Sequence, residues 1–247
     1  MKRLDRALVE RGLCESREKA QRAVMAGLVR INGRLASKPS DWLKESDVLV
    51  LAGAEKYVGR GGWKLEHALR HFQIEAHGLS AIDLGASTGG FTDCLLQHGA
   101  ARVYAVDVGR GQLAWKLRQD PRVIVMEKTN ARELTPAGFP EPFALVHLVV
   151  IDCSFISLRK ILPPAVALLR PGGKIVALIK PQFEAGKEEA DKGAGVITDR
   201  AIHQRVLREL QEFAGTVPQL LWRAVTESPL LGPAGNREFL ALLEKAG

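Results

Sequence analysis

Ten consecutive residues limit this chain more than any others: Ile82-Asp83-Leu84-Gly85-Ala86-Ser87-Thr88-Gly89-Gly90-Phe91. An aliphatic run ends in an acid and a glycine, small polar residues follow, and an apolar helical pattern opens at Gly90. Glycine lets a backbone turn tightly and approach a ligand closely. The free N–H groups of the next helix then face the same cleft. The spacing is not that of a dinucleotide fingerprint, which needs glycine at Ala86 or Ser87. An acid before the first glycine suits a ligand that carries ammonium and sulfonium charge better than one that carries a pyrophosphate.

Short aliphatic runs recur around this loop. Leu79–Leu84, Val103–Asp107, Val123–Met126, Leu145–Asp152 and Lys174–Ile179 read as buried strands. Helical patterns fall between most of them, as at Gly90–Gln97, Leu113–Gln119 and Ile156–Leu169, and Lys64–Phe72 precedes the first. Gln219–Val225 and Glu238–Leu243 supply last strands. Alternation of this kind predicts an α/β fold, a mostly parallel Rossmann-like sheet with helices on both faces. Asp107 ends the second strand, where an acid can accept both hydroxyls of a ribose. A turn or helix cap explains Asp83 or Asp107 singly; the pair at successive strand ends is harder to explain that way.

Net charge is +7, and it is uneven: residues 1–60 hold 13 Lys and Arg against 8 Asp and Glu. Such a balance points to a polyanionic partner, nucleic acid before anionic membrane, with plain solubility as the alternative. Three scattered cysteines, Cys14, Cys94 and Cys153, have no metal-ligand spacing, so no metal is expected. Reduced thiols, no signal-like start and no apolar run near 18 residues lead to the expectation of a cytoplasmic protein that does not span a membrane. A monomer is the expected state.

Residues 1–52 form a unit of their own. A short helix over residues 2–11 ends at Gly12, and Ser16 caps a second helix that stops at Gly27. Val29–Ile31, the Asn32-Gly33 hairpin signal and a strand over Ser46–Leu51 complete an α+β pattern. Arg3, Arg6, Arg17, Lys19, Arg22 and Arg30 punctuate it, as phosphate contacts would require; a solvated helical surface is the equal alternative. Residues 53–62, with four glycines, are a hinge or a loop over a ligand, and residues 63–247 form the remaining domain. The first unit resembles the RNA-binding domain named after ribosomal protein S-four. The match lies in Arg3-Leu4-Asp5, Leu8, Gly12, Ser16-Arg17, Ala20, Gly27, Val29, Asn32-Gly33 and Lys38-Pro39-Ser40.

Four polar residues stand where a parallel sheet opens its cleft. Lys64 opens the helix before the sheet, Asp152 ends the fourth strand, Lys180 ends the fifth, and Glu238 lies near the C-terminus. A substrate hydroxyl that acts as nucleophile must be held in line and relieved of its proton as it attacks. Lys180 as base, Asp152 as its orienter, and Lys64 and Glu238 as tuning charges would serve; ordinary ion pairing is the alternative.

The residues Asp83–Phe91 and Asp107 resemble class I S-adenosylmethionine-dependent methyltransferases. That resemblance implies that Asp83, Gly85, Ala86, Ser87, Thr88, Gly89, Gly90 and Phe91 hold the methionine and adenosine parts, Asp107 the ribose, with Asn130 near the adenine and Asp152 beside the donor. Lys64, Asp152, Lys180 and Glu238 match in order the Lys-Asp-Lys-Glu tetrad of FtsJ-like RNA 2′-O-methyltransferases. With Tyr57–Leu65, Val106–Leu113, Asp152–Leu158, Lys180–Glu184 and Gly235–Phe239, the chain is similar to the TlyA, or hemolysin A, family. The resemblance implies methyl transfer to cytidine 2′-hydroxyls of ribosomal RNA, on RNA or ribosomal subunits. Gly59 stands where that family's string would have serine. A membrane-active hemolysin and a non-catalytic ribosome-assembly factor are the competing classes. An NAD-linked oxidoreductase and a pseudouridine synthase are weaker still.

Overall fold

A computed structural model of the 247-residue chain describes residues 1–51, 56–186, 189, 195–232 and 234–247. Gly53, Ala54 and Glu55 of the expected connector lie outside the described residues.

The N-terminal unit runs β1 (Lys2–Arg3), α1 (Leu4–Glu10), α2 (Arg17–Met25), β2 (Val29–Ile31), β3 (Arg34–Leu35), β4 (Trp42–Leu43) and β5 (Leu49–Leu51). Ser16 starts α2 because its side chain accepts the Lys19 N–H at 3.2 Å. Asn32 and Gly33, with φ of 50° and 79°, make the tight turn between β2 and β3. Leu4, Leu8, Ala20, Val24 and Val29 are buried together as its core. The first helix starts two residues later than its sequence pattern suggests, because Lys2 and Arg3 pair with Leu43 and Trp42 instead. That pairing joins segments 40 residues apart, beyond the reach of local periodicity. The last strand likewise begins at Leu49, where pairing to β2 begins.

The larger sheet has seven strands. β6 (Ser80–Leu84), β7 (Arg102–Val106), β8 (Val123–Met126), β9 (Val146–Ile151) and β10 (Leu169–Ile179) are parallel, and β12 (Phe239–Lys245) runs antiparallel between β10 and β11 (Leu220–Glu227). Their spatial order is β11-β12-β10-β9-β6-β7-β8. The order reverses between β6 and β9, and ligands of open α/β sheets bind at such a point, beyond the carboxyl ends of the strands. Side chains alternate across the sheet. Ile82, Leu84, Val149 and Ile151 meet α6 (Leu162–Leu168) and α8 (Arg200–Thr216) on one face. Ala81, Leu148 and Val150 meet α3 (Gly61–His71) and α4 (Gly90–Gln97) on the other.

The differences from the sequence reading are local. α3 begins at Gly61, so the last two expected connector residues are helical. Tyr57, also within that stretch, is fully buried and meets Trp63 edge-on at 5.5 Å. Helix α5 (Trp115–Arg118) is one turn long, and the Ile156–Leu169 pattern is split by Pro163 and Pro164, which admit a helix only at its first turn. α8, 17 residues long, has no counterpart in the sequence reading. Its buried stripe is His203, Val206, Leu210 and Ala214, a weak apolar signal among arginines and glutamates. α7 (Pro181–Glu184) follows β10 directly.

Candidate active site

The register of the sheet explains why distant residues converge. Leu84 lies opposite Val106 on one side and Ile151 on the other, so Gly85, Asp107 and Asp152 all emerge at one edge. Ile179 pairs with Phe239. Because β12 runs antiparallel, its first residue lies at that same edge, and Glu238 arrives beside Lys180. Lys64 comes from the first turns of α3.

The four form two ion pairs. Lys180 Nζ is 2.6 Å from Asp152 Oδ1 and donates to Ser154 Oγ at 2.9 Å. Lys64 pairs with Glu238 Oε2, both side chains buried, and Glu238 Oε1 has no hydrogen-bond partner among the described residues. Both pairs line one cavity of about 940 Å³. A buried ion pair is weak evidence for stability, because desolvation offsets its attraction. Two such pairs facing an open cavity therefore point to chemistry.

Asp83, Gly85, Ala86, Ser87, Thr88, Gly90 and Phe91 line the same cavity. Asp83 is fully buried; its Oδ2 accepts the Thr92 N–H at 2.9 Å and the Thr92 hydroxyl at 2.7 Å. It thus caps α4 with one oxygen, while Oδ1 has no partner among the described residues. Burial pushes its carboxyl up to about 7, against the lowering effect of the Thr92 bonds and helped by the charges of Asp152 and Asp107. Gly85, at φ 87°, leaves no room for a side chain: a Cβ would sit 2.8 Å from the Asp152 carbonyl oxygen. A Cβ on Gly59 would meet Thr88 Oγ1 at 2.8 Å. A backbone-walled cavity with an unsatisfied buried carboxylate oxygen fits a ligand with a cationic end.

Three expected ligand contacts stand apart from that lining. Gly89, at φ 97°, faces Leu117 and Leu113 of the α5 region, so packing demands its glycine. Asp107 accepts the Ser87 N–H at 2.8 Å and the Gly109 N–H at 2.6 Å, which ties two loops together and leaves each oxygen a further lone pair. Asn130 caps a short 3₁₀ turn through the Arg132 N–H and donates to Glu133.

The sequence reading passes over several residues of the site. Ser154 holds Lys180. Arg60 is buried in the cavity wall. Phe155 is 91% exposed at φ 61°, with its ring centre 5.1 Å from that of Phe183. Ser154 and Phe155 stand within the quoted Asp152–Leu158 string, but nothing local separates a cavity aromatic from a core one. From the N-terminal unit, Arg22, Met25 and Ala26, on one face of α2, complete the wall. Of the other basic residues, Arg3 and Arg17 are bound to the buried Asp5 at 3.0 and 2.9 Å, Lys19 pairs with Glu15, Arg30 donates to the Gly33 carbonyl, and Arg6 is exposed. Burial pushes Asp5 up, yet the bonds from Arg3, Gln21 and Arg17 win and hold it well below the usual carboxylate range.

A doubly wound sheet in this strand order, with a glycine loop, a strand-end acid and a cation-accepting cavity at its switch point, defines an S-adenosylmethionine-dependent methyltransferase. Comparison narrows the class. The chain belongs to the FtsJ-like methyltransferase family, whose model matches residues 57–245, and an S4 domain matches residues 2–49. It is 49% identical to YqxC of Bacillus subtilis (strain 168), described as a candidate rRNA methyltransferase, over 99% of this chain and 86% of that one. It is 46% identical to the 16S/23S rRNA (cytidine-2′-O)-methyltransferase TlyA of Mycobacterium tuberculosis (strain CDC 1551 / Oshkosh), over 98% of this chain and 89% of that one. A solved structure from Streptococcus thermophilus, described as a candidate hemolysin, shares 47% identity at a TM-score of 0.76, covering 99% of this chain and 88% of its own.

Proposed function

We propose that the chain transfers methyl from S-adenosylmethionine to the 2′-hydroxyl of cytidine in ribosomal RNA, as a cytoplasmic monomer acting on RNA or ribosomal subunits. Residues 1–52 are its RNA-binding unit, 53–62 the connector and 63–247 the methyltransferase domain. The observation that carries this reading is the pair of ion pairs, Lys180–Asp152 and Lys64–Glu238, on the wall of one cavity. The Mycobacterium tuberculosis relative is named as a 16S/23S rRNA (cytidine-2′-O)-methyltransferase, and that name supports cytidine 2′-hydroxyls as the substrate.

When bound, S-adenosylmethionine supplies an electrophilic methyl group on a sulfonium. Asp83 Oδ1 would meet its cationic end, Gly85–Phe91 would hold its methionine and adenosine parts, Asp107 would take its ribose, and Asn130 would border its adenine. Lys180, in its neutral form, accepts the proton of the attacking hydroxyl. Asp152 and Ser154 fix where that amine stands, and Lys64 and Glu238 set the local field. Phe155 and Phe183 offer aromatic faces on which an unstacked base can rest. Arg3, Arg6, Arg17, Lys19, Arg22 and Arg30 serve as phosphate contacts; Arg22 is the one on the cavity wall, so its phosphate is close to the reacting nucleotide.

The hemolysin reading has a name in its favour and no structural feature: among the described residues, no helix is long and apolar enough to cross a membrane. The test is incubation with tritiated S-adenosylmethionine and separated ribosomal subunits, followed by mass-spectrometric mapping. We expect a 2′-O-methyl cytidine, and a loss of about 10²–10⁴-fold with Lys180→Ala. Label on a nucleobase, or an undiminished rate with Lys180→Ala, sinks the reading.

A further inference from the structure

Arg60 directly precedes α3, one turn ahead of Lys64. It is 8% exposed and belongs to the cavity wall. Its guanidinium bridges two distant stretches: Nη1 donates to the Ser37 carbonyl at 2.9 Å and Nη2 to the Leu231 carbonyl at 2.7 Å. Ser37 lies in the loop after β3, where Asp41 Oδ2 accepts the N–H groups of Ser37 and Lys38 at 3.1 and 3.0 Å. That loop is part of the RNA-binding unit.

Leu231 lies in the loop before β12. Gly232 N–H donates to the Asn236 carbonyl and Ser228 N–H to the Glu238 carbonyl, both at 2.8 Å. A side chain on Gly232 would collide with the Glu238 carboxylate. The backbone at 231–232 is therefore the surface against which Glu238 rests. Burial disfavours the charged form of Arg60, while the negative charges of Glu238 and Asp41 counter this. The guanidinium fork gives each carbonyl its own nitrogen, whereas an ammonium would have to serve both from one.

We propose that Arg60 is a positioning residue: by clamping the Ser37 loop to the Leu231 loop it fixes Glu238, and through Glu238 the Lys64 ammonium, so that the seating of the RNA-binding unit and the geometry of this pair are set together. The inference rests on the reading that Lys64 and Glu238 act in methyl transfer.

The test is a double-mutant cycle in the full chain: Arg60→Lys, Glu238→Gln and both together. Single-turnover methyl transfer to ribosomal subunits is measured at saturating donor, with donor and RNA affinities measured separately. With RNA also saturating, Arg60→Lys is expected to keep donor affinity within about 2-fold and to lose about 10–100-fold in rate, the scale of a small misplacement of catalytic groups. The double variant is expected to be no slower than Glu238→Gln alone, since residues acting through one another are not additive. Losses that multiply, or a wild-type rate for Arg60→Lys, overturn the proposal. A wild-type rate for Glu238→Gln overturns the reading of the tetrad, and the proposal with it. Should Arg60→Lys fail to fold, Gly232→Ala displaces the Glu238 carboxylate with Arg60 intact. The same selective loss of rate is expected there, and a wild-type rate again overturns the clamp.

Discussion

Asp83 is where charge and structure conflict most openly. An isolated carboxylate titrates near 3.9, but burial raises this one to about 7. A raised acid favours the protonated folded state, so the stability it contributes is full below about pH 4 and fades as pH rises through about 7. A cationic donor reverses the preference, because it stabilises the ionised form. Donor binding should therefore tighten as pH rises to about 7 and should release a proton below that pH. Calorimetry in buffers of different ionisation heat reads this directly: proton release at about pH 6, little at about pH 8, and none with Asp83→Asn. Equal release at both values would show that Asp83 does not meet the cation. The string around Asp83 was legible in the sequence as a ligand loop. That one oxygen caps α4 while the other stays unsatisfied was not, because Thr92 meets the strand only after the helix folds back.

Among the elements, the β6–α4 turn is the least tolerant. Gly85 combines a left-handed φ with a Cβ position 2.8 Å from a backbone oxygen that β9 holds in place. Gly85→Ala should cost about 1–2 kcal/mol for the backbone conformation alone, and more for the displacement of Asp152. Urea denaturation should show the loss, and donor affinity should fall with it. An unchanged midpoint would mean that the turn can relax. At Gly89 a Cβ would meet Leu117 and Leu113, so packing by itself requires glycine there, whatever its backbone does for the donor. A glycine demanded by a ligand and one demanded by packing are spelled alike, and only the helix across from them tells which is which. The long α8 is equally hard to read from the chain, since its buried stripe matters only against β11 and the neighbouring strands.

At the scale of the molecule, the RNA-binding unit is a wall of the reaction cavity as well as an anchor. Arg22 stands on that wall, exposed, whereas Arg3 and Arg17 spend part of their charge on Asp5. Arg22→Ala should lower the slope of log affinity against log salt by about 1 with no change in thermal midpoint. Arg17→Ala should lower both, because it also uncovers a buried carboxylate. A salt slope untouched by Arg22→Ala would place the RNA elsewhere.

The α/β alternation, the glycine loop, the four polar residues and the basic N-terminal unit can be read along the chain, because each is a local pattern of spacing or a local density of charge. Which charges meet is set by the folded sheet. Lys180 faces Asp152 because parallel strands end at one edge, and Glu238 reaches Lys64 because the last strand runs the other way. Those are facts of register, and register depends on hydrogen bonds between strands far apart in the chain.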